Sequence, residues 1–448
     1  MHAPLRIAVV GGGIAGLGAA HRLAPHHRVT LFEAADRVGG HTNTVDATVG
    51  GTTYPVDTGF LVFNERTYPN LIALFESLDV PTAMSEMSFS VSVGPHDFEW
   101  CGSNLAALFA QPTNALSPRF WSMLRDILRF NREATALARD AARAADAAVP
   151  LGTWLARQGF GSPFRDGYLL PMSAAIWSCP TATMLAFPVG SFARFCDNHG
   201  LLQVADRPRW FTVQGGARQY VSKILAGLHD VRTGTPVRGI LRSPLGAERD
   251  TVGVITDAGR ETFDHVVLAC HSDQSLAMLL DPQPDERAIL AAVPYQPNRA
   301  YLHTDLALMP RRRRAWAAWN YLSSGRFGAP GQAAAGDPSV AVTYWLNRLQ
   351  PLPFDRPVLV TLNPAEAPRD ELTLGVFDYA HPVFDTGAIE AQRRIPAIQG
   401  QRNTWFAGAW TGFGFHEDGL RSGLDVARDL LAREDARRGP SVALPVAA

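Results

Sequence analysis

Apolar residues run almost unbroken through 5–10, with Arg6 the one polar interruption, and this pattern predicts a short strand buried on both faces. Three glycines follow at 11–13, and from 17 to 23 the apolar positions switch to helical spacing. A second apolar run at 28–32 predicts another strand, closed by Glu33. Helical spacing returns at 68–78, and runs at 88–93 and 98–100 predict paired strands. Residues 117–144 form a long helical stretch in which Phe120, Trp121, Leu124, Ile127 and Leu128 share a face, with Arg119, Arg125, Arg129 and Arg132 around them. That pattern fits either a core-facing helix with solvated arginines or a helix lying on an anionic membrane. Residues 150–200 are apolar, aromatic and broken by proline, and read as part of a substrate domain whose Trp177, Phe187 and Phe195 line an apolar tunnel. Beyond them, 210–216 reads as a strand leading into a helix from Ala217. Strands are predicted at 231–241, 252–256, 265–269, 340–347, 358–363 and 404–408, a turn at 381–384, and a closing helix at 420–433. No internal repeat is visible.

The chemistry of the first stretch follows from its order: strand, glycine turn, helix, strand, acid. This is the dinucleotide-binding βαβ fingerprint in its required context. Gly11 permits the tight turn, Gly13 lets the backbone approach a pyrophosphate, and Gly16 lets helix and strand pack closely. Ile14 and Ala15 stand at a helix N-terminus, whose N–H groups and partial positive charge suit that pyrophosphate. Glu33, with Ala34 beside it, lies where a carboxylate can accept hydrogen bonds from ribose hydroxyls.

Composition narrows the setting. The 448 residues allow two domains. A net charge of −1 argues against general nucleic-acid binding. Lys223 is the only lysine. The cysteines Cys101, Cys179, Cys196 and Cys270 are scattered without a CxxC pair and read as free thiols in a reducing compartment. The first strand begins too early for a signal peptide, and no apolar run is long enough to span a bilayer, so the protein is expected in the cytoplasm, with a peripheral position on the inner face of the membrane as a further expectation. The run Arg311–Arg314, beside Trp316 and Trp319, reads as a solvated loop or a contact for lipid headgroups rather than for nucleic acid. No metal-binding pattern is present.

Further motifs carry a resemblance. Gly39-Gly40 with His41 and Thr42 resembles the segment that folds back on the pyrophosphate in FAD-dependent amine oxidases and carotenoid desaturases. His41 stands where those relatives carry arginine, so Arg37 is the alternative cation. Thr58-Gly59, after Asp57, resembles the family segment that passes near the flavin ring, and Val237 matches the position that meets the adenine. The run from Gly408 through Glu417, Asp418, Gly419 and Leu420 resembles the C-terminal FAD segment, where a helix N-terminus points at the flavin's pyrimidine edge. Ala409-Trp410 and Asp418-Gly419 depart from the usual residues there.

Together with Ala175-Ile176-Trp177-Ser178, Asn198-His199-Gly200, Leu346-Asn347-Arg348-Leu349-Gln350, Thr361-Leu362-Asn363-Pro364, His381-Pro382 and Ala391-Gln392, these motifs resemble one bacterial branch of amine oxidase-like proteins. Its members accompany cyclopropane-fatty-acid-synthase-like methyltransferases. The resemblance implies a Rossmann-like α/β FAD-binding domain at 1–85, 205–290 and 395–435, an α+β substrate domain at 86–204 and 291–394, and a disordered tail at 436–448. It implies non-covalent FAD, since no cysteine follows Cys270, and a fatty acyl or phospholipid substrate that is dehydrogenated. A redox-neutral double-bond isomerase, an amine oxidase and a flavin-bound lipid carrier are the rival readings. The expected catalytic pair is His416 and Glu417, an imidazole and a carboxylate able to take a weakly acidic proton. Against it stands helix capping by Glu417 and Asp418. His381 and Tyr344 are weaker candidates, and His199 reads as structural.

Overall fold

The apolar run near the start becomes the central strand, Arg6–Val10, of a five-stranded parallel sheet. In sheet order its strands are Asp230–Arg232, Arg28–Phe32, Arg6–Val10, His265–Leu268 and Thr404–Phe406. Ile7, Ala8 and Val9 are fully buried, as strands of a sheet covered on both faces must be, which is why they do not alternate with polar residues. The computed structural model describes residues 3–94, 98–140, 147–177, 181–203, 206–244, 251–324 and 341–438.

The chain divides into two units. The first comprises Met1–Thr42, Tyr220–Val293 and Glu390–Ala448, the second Asn43–Gln219 and Pro294–Ile389. The expected boundaries therefore shift: 43–85 and 205–219 group with the second unit, because the hairpin Thr44–Val49/Thr52–Asp57 and the small sheet Phe63–Asn64, Trp210–Val213, Thr82–Ser85 close within it. The expected tail begins inside the last helix, which runs to Arg438, and 439–448 lie outside the described residues.

In the first unit the helices Ile14–Leu23 and His416–Arg438 approach to backbone contact. A Cβ on Gly423 would lie 2.0 Å from the Ala15 carbonyl oxygen, and one on Gly18 would lie 2.7 Å from Leu420 Cδ1. The single strand expected at 231–241 is two. Gly234, at φ +56°, turns the chain while its N–H donates to the Ala35 carbonyl. Asp230–Arg232 thereby joins the parallel sheet, and Val237–Arg242 opens an antiparallel sheet with Val252–Thr256 and Gly259–Phe263.

An arginine cluster locks that second sheet. The fully buried Arg242 guanidinium donates to Glu286 Oε2 at 2.9 Å and to Asp281 Oδ1 at 2.9 Å, and Arg402 also pairs with Asp281. Glu286→Gln removes one charge but leaves Arg242 its Asp281 partner. The loss should be about 2 kcal/mol, less than the ~3–5 kcal/mol of an uncompensated buried charge, read as a lower urea midpoint at unchanged slope.

The second unit is built on a seven-stranded mixed sheet in the order Thr373–Pro382, Tyr295–His303, Leu359–Leu362, Ala341–Trp345, Trp319–Ser323, Phe89–Val93, Phe98–Cys101. His381 and Pro382, expected in a turn, end its long edge strand instead. Trp177 packs against Phe195 at 4.4 Å, Phe187 at 5.5 Å and Phe192 at 5.8 Å. These buried rings pack against one another as one aromatic cluster.

The long helix is Pro118–Arg139, and the expected 141–144 lies outside the described residues. Its inward face is Phe120, Met123, Phe130, Ala134 and Leu137; Trp121 and Leu128, expected on that face, point to solvent. Buried Asp126 explains the rotation. It accepts the Gly161 N–H at 3.2 Å and pairs with Arg129 at 3.7 Å, so a polar position takes an inward place.

Asp57 holds the 44–57 hairpin to the next helix start. Its carboxylate accepts Ala217 N–H at 3.0 Å, Gln350 Nε2 at 2.6 Å and the Thr44 hydroxyl. Burial raises its pKa to about 6, against those hydrogen bonds. A carboxyl raised in the folded state contributes stability that is complete below pH 4 and is lost as pH rises through 6. Thermal stability should fall by on the order of 2–3 kcal/mol across that window, and Asp57→Asn should flatten this part of the profile in calorimetry.

Candidate active site

The glycine turn of the first unit is shaped from both sides. Gly11 sits at φ +105°, and a Cβ there would lie 2.6 Å from the Ala269 carbonyl oxygen. A Cβ on Gly16 would lie 1.9 Å from the Gly11 carbonyl oxygen, so helix and turn touch through backbone. Over Gly13 the situation reverses: a Cβ there would meet no protein atom within 4 Å. Gly13 precedes the Ile14–Leu23 helix, whose first N–H groups share that open space. Glu33 lies at the end of Arg28–Phe32, where its two oxygens accept the Gly12 N–H at 2.8 Å and the Ala35 N–H at 2.9 Å.

Gly39-Gly40 folds back onto this turn. Gly39 N–H donates to the Gly12 carbonyl at 2.9 Å, and a Cβ on Gly40 would come within 3.2 Å of Gly13 Cα. Arg37 braces the fold, donating to the Gly40 carbonyl at 2.9 Å and the Thr42 carbonyl at 3.3 Å. His41 is half-buried beside them. Open space, a helix N-terminus, an acid on the second strand and a covering loop together fit a dinucleotide pyrophosphate and ribose.

The C-terminal segment adjoins this cradle within the same unit. A Cβ on Gly419 would lie 2.8 Å from Ile14 Cγ2, so the N-terminal turns of the two helices stand side by side. Asp418 is buried and accepts Phe413 N–H at 3.0 Å, Phe415 N–H at 3.1 Å and Arg421 Nη2 at 2.6 Å. Burial holds its pKa up, against Arg421 and those N–H groups. Its Oδ2 is therefore occupied by the 412–415 loop and its Oδ1 by Arg421, and it sets the shape of the approach to the helix. Gly408 donates its N–H to Ser422 Oγ at 2.9 Å, and Gln392 Nε2 ties the Trp410 and Gly412 carbonyls at 2.8 and 2.6 Å. Glu417 is buried in the helix's first turn.

His416 joins a chain of hydroxyls the sequence did not reveal. Its Nε2 lies 2.9 Å from the Tyr220 hydroxyl, which in turn bonds the Thr42 hydroxyl. Burial pushes the His416 pKa down to about 3, so the imidazole is neutral at ordinary pH. An imidazole so weakly basic is a poor proton acceptor but a good hydrogen-bonding wall. Tyr220 lies three residues before Lys223 on the helix Arg218–Leu225; no motif spacing links it to His416. Lys223 itself is exposed on that helix.

The remaining candidates are Thr58, Gly59, His199, Tyr344 and His381 of the second unit and Val237 of the first. Thr58 and Gly59 belong to the second unit, where Thr58 Oγ1 donates to the Asn43 carbonyl and lies 2.8 Å from the Tyr379 hydroxyl. His381 Nδ1 accepts from Asn298 Nδ2 at 2.8 Å, and Tyr344 packs edge-on against Trp319. His199 stacks on Phe195 at 4.0 Å, with burial lowering its pKa to about 4. Val237 sits at an irregularity where its strand shifts register before Gly239. Among the described residues no group of three His, Cys, Asp or Glu side chains could hold a metal ion.

The family described as flavin containing amine oxidoreductase matches residues 14–431. The AofH protein of Mycobacterium tuberculosis, named provisionally as a flavin-containing monoamine oxidase, is 29% identical over 288 residues, covering 62% of this chain and 59% of that protein. A carotenoid phi-ring synthase of Streptomyces griseus is 29% identical over 343 residues, 67% of this chain and 60% of the synthase. The chain thus spans about 60% of the length of these curated relatives. In structure, the conjugated-linoleic-acid-producing fatty acid isomerase of P. acnes superposes with a TM-score of 0.61 at 16% identity, over 97% of this chain and 99% of that one.

Proposed function

The chain belongs to the flavin-containing amine oxidoreductase family, with FAD as its non-covalent cofactor, and from that premise we propose that it dehydrogenates an unsaturated or methylated fatty acyl chain, free or on phospholipid. The observation that carries this reading over amine oxidation is the lysine. The only one in the sequence, Lys223, is exposed on the Arg218–Leu225 helix, so none is left to hold the flavin-facing water that amine oxidases of the resemblance commonly use. The bacterial motifs around 175–178, 198–200 and 414–419 support an acyl substrate, and the likeness to a fatty acid isomerase is compatible with it.

The turn at Gly11–Gly13, Ile14, Ala15, Glu33 and the Gly39-Gly40 loop would hold the adenine half and pyrophosphate; Gly408 and the helix start at Glu417–Leu420 would hold the flavin end. FAD, when bound, supplies a two-electron acceptor for a hydride leaving carbon. The chain's own part is the proton. Of the expected pair, His416 is too weak a base at neutral pH, which leaves the Glu417 carboxylate as acceptor. His416 and Tyr220 position the wall beside it, and Asp418 fixes the loop. A substrate C–H bond beside a double bond loses its proton to Glu417, and unsaturation extends along the chain.

The test is anaerobic mixing of the holoenzyme with unsaturated fatty acids and with their phosphatidylglycerol esters. Bleaching of the flavin band, with a product two mass units lighter, supports dehydrogenation. A moved double bond without bleaching makes the protein an isomerase, a reading the P. acnes structural likeness favours next. In a parallel assay in air, peroxide released from a panel of amines, with no effect of acyl chains, overturns the proposal.

A further inference from the structure

The solvent face of the Pro118–Arg139 helix has an arrangement the fold itself does not use. Trp121, Arg125, Leu128 and Arg132 recur at spacings of four, three and four, which places them in one stripe opposite the buried face. Trp121 is 53% exposed and Leu128 60%. The stripe continues past the helix start. Leu116 is 87% exposed, and Trp121 Nε1 donates to the Ala115 carbonyl at 2.9 Å, tying the indole to that turn. Trp121 also packs on Phe109, at the end of the short helix Leu105–Leu108, whose Leu105 is 76% exposed. Four large apolar side chains thus stand outward along a connected edge of the second unit.

Their charged neighbours are mostly arginine; the partly exposed acid is Glu133, 3.8 Å from Arg132 at the end of the stripe. Arg119, Arg125 and Arg132 are exposed among them. The short helix Leu105–Leu108 packs against the turn Arg313–Ala315, which brings exposed Arg311, Arg313 and Arg314 to the same edge. Only Arg312 of that run turns inward, where its guanidinium meets buried Glu99 at 2.8 Å while Arg311 and Arg312 N–H groups cap the same carboxylate. Between residues 102 and 132 the one acid is Asp126, and it is buried.

We propose that this edge docks on the surface of an anionic phospholipid bilayer. Exposed tryptophan and leucine suit the headgroup–acyl boundary, and the interleaved arginines suit lipid phosphates. Charge decides against a second copy of the chain. Two-fold pairing would set this arginine-rich face against itself, whereas an anionic bilayer neutralises it. Docking requires no span, and among the described residues no helix is long and apolar enough to cross a membrane. The inference stands apart from the acyl-chain reading, because docking is measured without turnover.

Flotation of the FAD-loaded protein with vesicles tests it. With phosphatidylglycerol–phosphatidylcholine vesicles at low salt, most of the protein should float, and at least tenfold less should float with phosphatidylcholine alone. A triple variant Leu116→Ser, Trp121→Ser, Leu128→Ser should lower partition at least tenfold while keeping the flavin spectrum and melting temperature. Arg125→Gln with Arg132→Gln should also weaken binding and reduce its salt dependence. No flotation at low salt overturns the proposal, as does flotation that the triple variant leaves intact. Dimerisation in sedimentation, abolished by the triple variant and without flotation, overturns it in favour of a self-association face.

Discussion

Gly13→Ala should leave the cofactor-free protein as stable as the native chain and yet weaken FAD binding by about 100-fold. The expectation follows from an asymmetry among the three glycines of the turn. An alanine at Gly11 or Gly16 collides with backbone, at 2.6 Å and 1.9 Å, so either change damages the fold before any cofactor arrives. Gly13 has ordinary extended dihedrals, φ −72° and ψ −179°, which alanine adopts freely. Its Cβ would enter space where no protein atom lies within 4 Å. A methyl there meets only a ligand that uses the backbone's close approach, as a pyrophosphate does in this fingerprint. Urea unfolding of the apoprotein should be unchanged, or slightly favourable because alanine restricts the unfolded chain. Titration with FAD should show the lost affinity, which at saturating cofactor equals about 2.7 kcal/mol of missing holo-protein stability. An apoprotein destabilised by the change would mean that the space is structural. Unaltered FAD affinity would place the pyrophosphate away from Gly13.

Much of the first unit was legible because its signals are local. The 5–33 stretch combines an unbroken apolar run, a glycine turn and a closing acid within thirty residues, and each part has one geometric solution. The Gly39-Gly40 loop and the return at Gly408–Gly419 were legible through motifs of the same local kind. What failed to show depends on contacts far apart in sequence. Tyr220 meets His416 across 196 positions, and nothing in the spacing of either announces the other. The face of Pro118–Arg139 was misread by a fraction of a turn, because an apolar count could not anticipate that Asp126 would be buried through the Gly161 N–H and Arg129. That rotation leaves Trp121 and Leu128 outside, apart from the apolar residues that face the core. The aromatics from Trp177 to Phe195 show the opposite limit: composition marks them as interior, but which rings meet is decided by packing.

Glu417→Gln should reduce turnover of an acyl substrate by about 1,000-fold, within the range typical of a lost general base. The amide keeps the size of the carboxylate and its place in the first turn of His416–Arg438, so FAD absorbance and melting temperature should stay near native. His416 supplies the contrast. With its pKa pushed down to about 3 by burial, its imidazole is neutral across the working range and can accept or donate one hydrogen bond but not titrate. Rates measured upward from pH 5 should therefore contain no inflection that belongs to His416. His416→Gln and Tyr220→Phe should lower turnover by about tenfold or less, through positioning, because each breaks the contact at 2.9 Å without removing the acceptor of the proton. An inflection between pH 6 and 7 that disappears in His416→Gln would show that the imidazole, not the carboxylate, takes the proton. Retention of more than a tenth of native turnover by Glu417→Gln, with FAD bound, would remove Glu417 from the chemistry and leave it a buried residue of the helix start. The two substitutions thus divide a single question between neighbouring residues. His416 is held against the Tyr220 hydroxyl, and Glu417 stands in the first turn of His416–Arg438, whose N-terminal end lies beside that of Ile14–Leu23.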